Sequence, residues 1–365
     1  MPFDWWLFAI VVTILGLGLV MVLSASGIVA EQLNGDKYYF FKRQLLFAFL
    51  GGLVMWVCAL MRRDWLYRLQ YPLLAVTFIL LALTLTPLTH AINGARRWLQ
   101  FGPVSIQPME FVKIAVGLYL AYFMSTKQEL VKSFVRGVLP PCLLTACFGL
   151  LLLLQPDFGS FLVLLCILFF MCVAGGTRIV YLLLSLLLAG AGAVALVLAA
   201  PYRMRRITAF LDPFGDAGNT GYQLVQSLLA IGSGGFWGTG IGASRQKMFY
   251  LPEAHNDFIM AIVGEELGFI GVTVVMLLFA LLFWRCYRII MGQQDLRDRL
   301  SAFALTLILA LGSVMNLAVV MGMAPPKGVP MPFLSYGGSN LLASLICVGL
   351  LLNFSRTVRP CNESF

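Results

Sequence analysis

Residues 1–26 read MPFDWWLFAIVVTILGLGLVMVLSAS, and the apolar run that begins at Trp5 decides the fold class. It is about 20 residues long, the length of helix that crosses the hydrocarbon core of a bilayer. No positively charged segment precedes it, so it reads as a retained span and not as a cleaved leader. Moving outward in the same unit, ten candidate spans appear, near 5–26, 43–61, 71–87, 107–124, 137–155, 158–175, 178–200, 258–284, 300–324 and 338–355. Composition agrees: 60% of the 365 residues are hydrophobic and 11% charged, with a mean hydropathy of +0.91. A soluble domain carries about 45–50% apolar and about 25% charged residues. An ordinary cytosolic enzyme, a disordered chain and a disulfide-stapled secreted domain are therefore excluded. The expected fold is all-α, a polytopic integral membrane protein forming one ten-span domain over 1–365.

The formal net charge is +9, yet the basic residues are scattered between apolar runs and form no stripe that could track nucleic acid. They report membrane topology instead. One set of alternate loops holds 13 Lys and Arg in about 52 positions and the opposite set 11 in about 111. The denser set is expected in the cytoplasm, which puts both termini inside. Residues 201–257 then form one long extracytoplasmic loop. It opens with YRMRR (202–206) and contains YQLVQSLLA, where Leu224, Val225, Leu228 and Leu229 fit one face of a short interfacial helix. No repeat of the transporter type is visible.

Eight cysteines lack any C-x-x-C spacing, and all but Cys361 sit in or beside apolar segments, which marks them as packing residues. Two histidines, His90 and His255, are too few for a histidine metal cage.

Ionisable groups at membrane depth cost about 2.5–3.5 kcal/mol on insertion scales and are kept for a partner or a task. Glu110 and Lys113, three apart in SIQPMEFVKIA, share a helix face and can pair, structurally or in function. Glu265 and Glu266 point about 100° apart, so only one is expected to face any given cavity. Asp157, after Gln155 and Pro156, reads most simply as a helix N-cap. In NGARRWLQFGP (93–103), Arg96, Arg97 and Trp98 are either interfacial anchors or a diphosphate clamp, since guanidinium groups fork onto phosphate oxygens. GSGGFWGTGIGAS (232–244) lacks the strand and helix context of a phosphate loop. YLPEAHNDF (250–258) places Glu253, His255 and Asp257 where the long loop re-enters the membrane, in capping or in chemistry. MAPPKGVPMPFLSYGGSN (323–340) is a Pro- and Gly-broken loop carrying Lys327 and Ser335. Broken backbone at that level lines protein or a cavity.

Four motifs, NGARRWLQFGPVSIQPMEFVKIA, QPDFGS, LPEAHNDFIMAIVGEELGFIG and PPKGVPMPFLSYGGSN, together resemble the SEDS family (shape, elongation, division and sporulation) across the whole chain. Lys327 and PEAH (252–255) look more like the FtsW-type than the RodA-type members. Phe249, Met109, Asn256 and Pro326 depart from the usual residues. The resemblance implies a peptidoglycan glycosyltransferase of the bacterial cytoplasmic membrane that polymerises lipid II in division or elongation, with undecaprenyl diphosphate leaving. It implies Asp257 as the catalytic residue. Arg96, Arg97, Trp98, Glu110, Lys113, Lys327, Glu253, His255 and Ser335 are expected to bind substrate. No cofactor or resident metal is called for, with a divalent cation left open. Expected partners are lipid II, a class B penicillin-binding protein (transpeptidase), other divisome or elongasome membrane proteins, and membrane lipid. The competing classes are a lipid II flippase, which would use the cations without a base, and a non-catalytic division scaffold.

Overall fold

The structure is a computed structural model that describes residues 3–86, 89, 96–102, 104–198, 201–219, 221–248 and 250–356. His90, Asn93 to Ala95, Phe249, Arg359 and Cys361 lie outside the described residues. Each of the ten expected spans is met by an apolar helix: α1 (Trp5–Asn34), α2 (Tyr39–Leu60), α3 (Arg63–Leu83), α4 (Pro108–Thr126), α5 (Leu139–Leu154), α6 (Phe158–Ala174), α7 (Ile179–Leu198), α10 (Ile259–Met291), α11 (Leu296–Val320) and α12 (Gly338–Ser355). Among the described residues eight helices are long and apolar enough to cross a membrane, α5 counted with the turn before it as Phe134–Leu154; the apolar stretches of α6 and α7 are shorter. The long loop holds α8 (Pro201–Leu211) and α9 (Tyr222–Gly234), and the hairpin β1 (Leu99–Phe101) and β2 (Val104–Ile106) precedes α4.

Local chemistry sets the ends. Asp4 caps α1 by accepting from the Leu7 amide, and Gly35, at φ 69°, closes it with its own amide on Glu31. The helix therefore runs eight residues past the expected limit. At about 1.5 Å per residue, its 30 residues exceed the membrane core and carry its last turns beyond it. Its buried stripe, Leu7, Val11, Ile14, Gly18, Met21 and Ala25, steps by three and four. A Cβ at Gly18 would fall 2.3 Å from the Phe333 carbonyl, so this helix touches the α11–α12 loop backbone directly.

The core lies around α4 and α12, which bury most of their surface, while α7 packs on α6 and α8 and leaves most of its leucines outward. Small residues bring α2 onto α12: Gly51 lies against Leu345, and Gly349 against the Met55 backbone. Close approach of this kind holds helices together where lipid removes the hydrophobic drive.

α10 is broken at Gly268 (φ 65°, ψ −163°). The carbonyls of Glu265 and Glu266, freed by the break, accept from the amides of Thr239 (2.9 Å) and Gly240 (3.0 Å), while Phe269 donates to Gly235 (2.9 Å). α9 and the segment after it thus fold back along α10. α9 buries Leu224, Val225, Ser227 and Ala230 against α10 and α11 and leaves Leu229 exposed. This differs from the expected Leu-rich face, because a helix packed on two neighbours selects its small and polar positions for contact.

Helix polarity gives the bundle two polar ends. At one, Arg285 pairs with Asp4 at 2.6 Å, Arg63 and Tyr67 bond Asp298, and Arg297 stacks on Tyr67 (3.7 Å) and Tyr122 (4.6 Å). The starts of α4, α10 and α12 and the end of α11 meet at the other.

Candidate active site

Asp257 stands two residues before α10, held in a turn by its own amide on the Glu253 carbonyl at 3.2 Å. Its carboxylate has no hydrogen-bond or ion-pair partner among the described residues. The Oδ2 atom lies 2.7 Å from where a Cβ at Gly328 would sit, so a side chain there would displace the carboxylate. Burial pushes the carboxyl up to about 7, with the charge on Glu253 adding to the rise. His255 packs its ring on Phe40 (4.7 Å) and Tyr336 (5.6 Å), and burial pushes it down against the opposing pull of Glu253. Glu253 is exposed and bonded by Asn256.

The Lys327–Val329 segment also lines a cleft, together with Gln107, Glu110, Lys113 and Ser160, about 330 Å³ of empty space with its open mouth included. Lys113 donates to Glu110 at 2.8 Å, and Asn340 donates to the same carboxylate oxygen at 3.3 Å. The Lys327 ammonium makes no ion pair or hydrogen bond among the described residues, while the residue's carbonyl accepts from the Val329 amide at 2.9 Å. Its stem crosses the first turn of α6, where a Cβ on Gly159 would fall 2.0 Å from its Cε and push the lysine aside. Burial pulls the ammonium down to about 8; Asp157 opposes that shift and Lys113 adds to it. A half-buried cation of this kind is suited to a diphosphate charge, since the low local dielectric strengthens its field.

Asp157 caps α6 through Ser160, as expected, and also draws in Arg97, whose Nε lies 3.6 Å from Oδ2 and whose Nη2 bonds the Pro156 carbonyl at 2.8 Å. Arg97 is thereby committed to the α5–α6 turn. Arg96 is exposed and Trp98 half-buried, both at the foot of the hairpin. Ser335 is turned inward, its hydroxyl accepting from the Met331 amide at 2.8 Å while its carbonyl accepts from Gln44. The structure thus brings Glu110, Lys113 and Lys327 to one cleft and sets Asp257 against Gly328, which also lines it.

Glu265 and Glu266, which point apart along α10, are both met by protein groups. Glu265 accepts from the Ser244 hydroxyl and the Arg245 amide (2.8 Å), and Glu266 from Lys247 (2.8 Å) and Ser24 (2.7 Å). The segment 239–247 wraps the break in α10 and so reaches both.

Sequence reasoning passed over Asn316 and Asn340. Both are amides in or at the end of apolar spans, and that polarity was the available signal. Asn316 donates to the carbonyls of Asp257 and Val329.

These features define a class, a multi-pass membrane protein whose acid and cation sit across one loop at the same end of the bundle. The sequence profile of the FtsW/RodA/SpoVE cell cycle proteins matches residues 5–360, and the chain belongs to that family. It is a multi-pass inner-membrane protein. It is 44% identical over 359 residues to stage V sporulation protein E of Bacillus subtilis (strain 168), covering 98% of both chains. It is 43% identical over 343 residues to the probable peptidoglycan glycosyltransferase FtsW of Geobacter sp. (strain M18), covering 94% of both. Among solved structures it matches a chain from a study entitled "Structural coordination of polymerization and crosslinking by a peptidoglycan synthase complex", with a TM-score of 0.82, 30% identity and 98% of each chain covered.

Proposed function

We propose that this protein is a peptidoglycan glycosyltransferase that polymerises lipid II in cell division or elongation, with Asp257 as general base. The observation that carries the reading is a partly buried carboxyl near 7 with no partner, separated by one glycine from a cleft holding Lys327 and Lys113. A base is most effective when its pKa lies near the working pH.

In the reaction, the acceptor sugar's 4-hydroxyl forms a bond to the donor's anomeric carbon and passes its proton to the Asp257 carboxylate. The anomeric C–O bond breaks, and undecaprenyl diphosphate departs with the electron pair. Lys327 and Lys113 face that charge, with Glu110 holding Lys113 in place. Ser335, Arg97 and His255 serve as framing residues around the site: Ser335 shapes the α11–α12 loop, Arg97 braces Asp157, and His255 packs beneath Tyr336. Inversion needs a single protein carboxylate, because a diphosphate leaves without acid catalysis. A flippase would use the cations but has no need of an unpaired base, and a scaffold needs neither.

The site end faces outward, with both termini in the cytoplasm, which matches the density of basic residues. The polymerase works with a class B transpeptidase that crosslinks its product, in line with the synthase complex named for its structural relative. Purified protein supplied with fluorescent lipid II should yield glycan chains, and faster with the transpeptidase present. Lipid II that stays monomeric under both conditions sinks the enzymatic reading.

A further inference from the structure

Asn316 is 1% exposed, in the last two turns of apolar helix α11, where an amide costs free energy unless bonded. Its Nδ2 forks between two carbonyls, Asp257 at 2.7 Å and Val329 at 2.8 Å. The assignment of nitrogen and oxygen is dictated by those partners, since a carbonyl oxygen turned the other way would face two acceptors. The Oδ1 atom is buried and has no partner among the described residues. Neither accepting carbonyl serves a helix ladder: Phe258 is the N-cap of α10, and Val329 lies in the α11–α12 loop.

One side chain therefore ties the backbone of Asp257 to the residue after Gly328. Gly328 lies against the Asp257 carboxylate and lines the cleft with Lys327. With two soft dihedrals per residue, neither turn would fix this spacing unaided. We infer that Asn316 is a positioning residue for the transfer reaction, setting the Asp257 carboxylate against the Lys327–Val329 wall. The inference rests on the reading of Asp257 as base.

The consequence follows from solvation. Without the clamp, the two segments separate and water reaches the carboxylate, so its pKa falls toward the usual carboxylate range and it becomes a weaker, misplaced base. The charged and titratable groups around it are Glu253 and His255 on its own loop, Lys327 and Tyr336 on the α11–α12 loop, and Arg206 of α8, which bonds the Pro326 carbonyl at 3.4 Å. Glu110 and Lys113 of α4 stand beyond the wall. None of these is altered by changing Asn316.

The test measures glycan formation from fluorescent lipid II by the full chain with its transpeptidase, from pH 5 to 9, for the wild type and for Asn316→Leu, Asn316→Ala and Asn316→Gln. Removing the donors should lower kcat about 10-fold or more, leave KM for lipid II within about threefold, and move the acidic limb of the kcat profile downward. Asn316→Gln, which keeps the amide, should recover part of both. A folded Leu or Ala variant with the wild-type acidic limb overturns the inference, whatever its rate. Failure of all three variants to fold assigns Asn316 to stability alone and overturns it too. Asp257→Asn in the same assay separates the two claims. If it polymerises like the wild type, the base assignment fails. If it is inactive while Asn316→Leu behaves like the wild type, the positioning inference fails by itself.

Discussion

Two carboxylate sites stand eight residues apart at the start of α10 and are treated in opposite ways. Glu265 and Glu266 are buried, and every bond they need is supplied by Ser24, Ser244, Arg245 and Lys247. Asp257 is also pressed against protein, yet its carboxylate has no hydrogen-bond or ion-pair partner among the described residues. Satisfied carboxylates hold the segment 239–247 onto a broken helix, whereas an unsatisfied one keeps its proton affinity for use. The difference teaches that depth in the fold does not mark the reactive group; the missing partner does.

The largest effect should come from breaking the satisfied site. Lys247→Met leaves Glu266 buried without its cation, a loss on the scale of about 3–5 kcal/mol. The variant should be recovered in reduced yield and melt well below the wild type in detergent. An unchanged melting temperature would show that the ion pair does not hold the loop. Next, Lys327→Ala should keep the fold and lose turnover by about 100-fold, the scale of removing one donor from a developing anion. Lipid II turnover at the wild-type rate would make Lys327 an anchor.

The unpaired site also sets the pH dependence. The base must be ionised and the lysine protonated, so turnover should rise through about 7 and fall through about 8, a narrow bell. In Lys327→Arg, whose guanidinium stays charged, the alkaline limb should disappear. Stability carries the same signature. A carboxyl raised from its unfolded value favours the protonated folded state, so its contribution is present at low pH and lost as pH rises through about 7. Asp257→Asn should therefore melt above the wild type at pH 8, with the gap narrowing as pH falls below about 7 and closing only near the unfolded carboxylate's value of about 4; a gap that widens toward acid would contradict the buried carboxyl. The smallest effect belongs to Arg97→Ala. Its partly exposed pair with Asp157 is worth about 0–1 kcal/mol, and turnover should fall less than about tenfold.

Much of this was legible in the sequence. The ten apolar helices follow from apolar run length, and the Glu110–Lys113 pair from i,i+3 spacing. Asp157 as an N-cap follows from its place after Pro156. The overshoot of α1 was not legible, because apolar length stops at the membrane edge while the helix stops at Gly35. Nor was the shared service of Glu265 and Glu266, which depends on a break at Gly268 and on a distant serine, Ser24. Asn316 shows the same limit. Its polarity is plain in the sequence, but the two carbonyls it joins come from separate loops.

The central claim is that Asp257 takes the proton in glycosyl transfer. The most direct measurement compares wild type and Asp257→Asn, equally folded and with the same transpeptidase, for both glycan formation and lipid II binding. The asparagine keeps size and hydrogen-bonding capacity but removes the proton acceptor. Binding should survive while chain formation falls by about 100-fold or more. Equal glycan output from the two proteins would contradict the account.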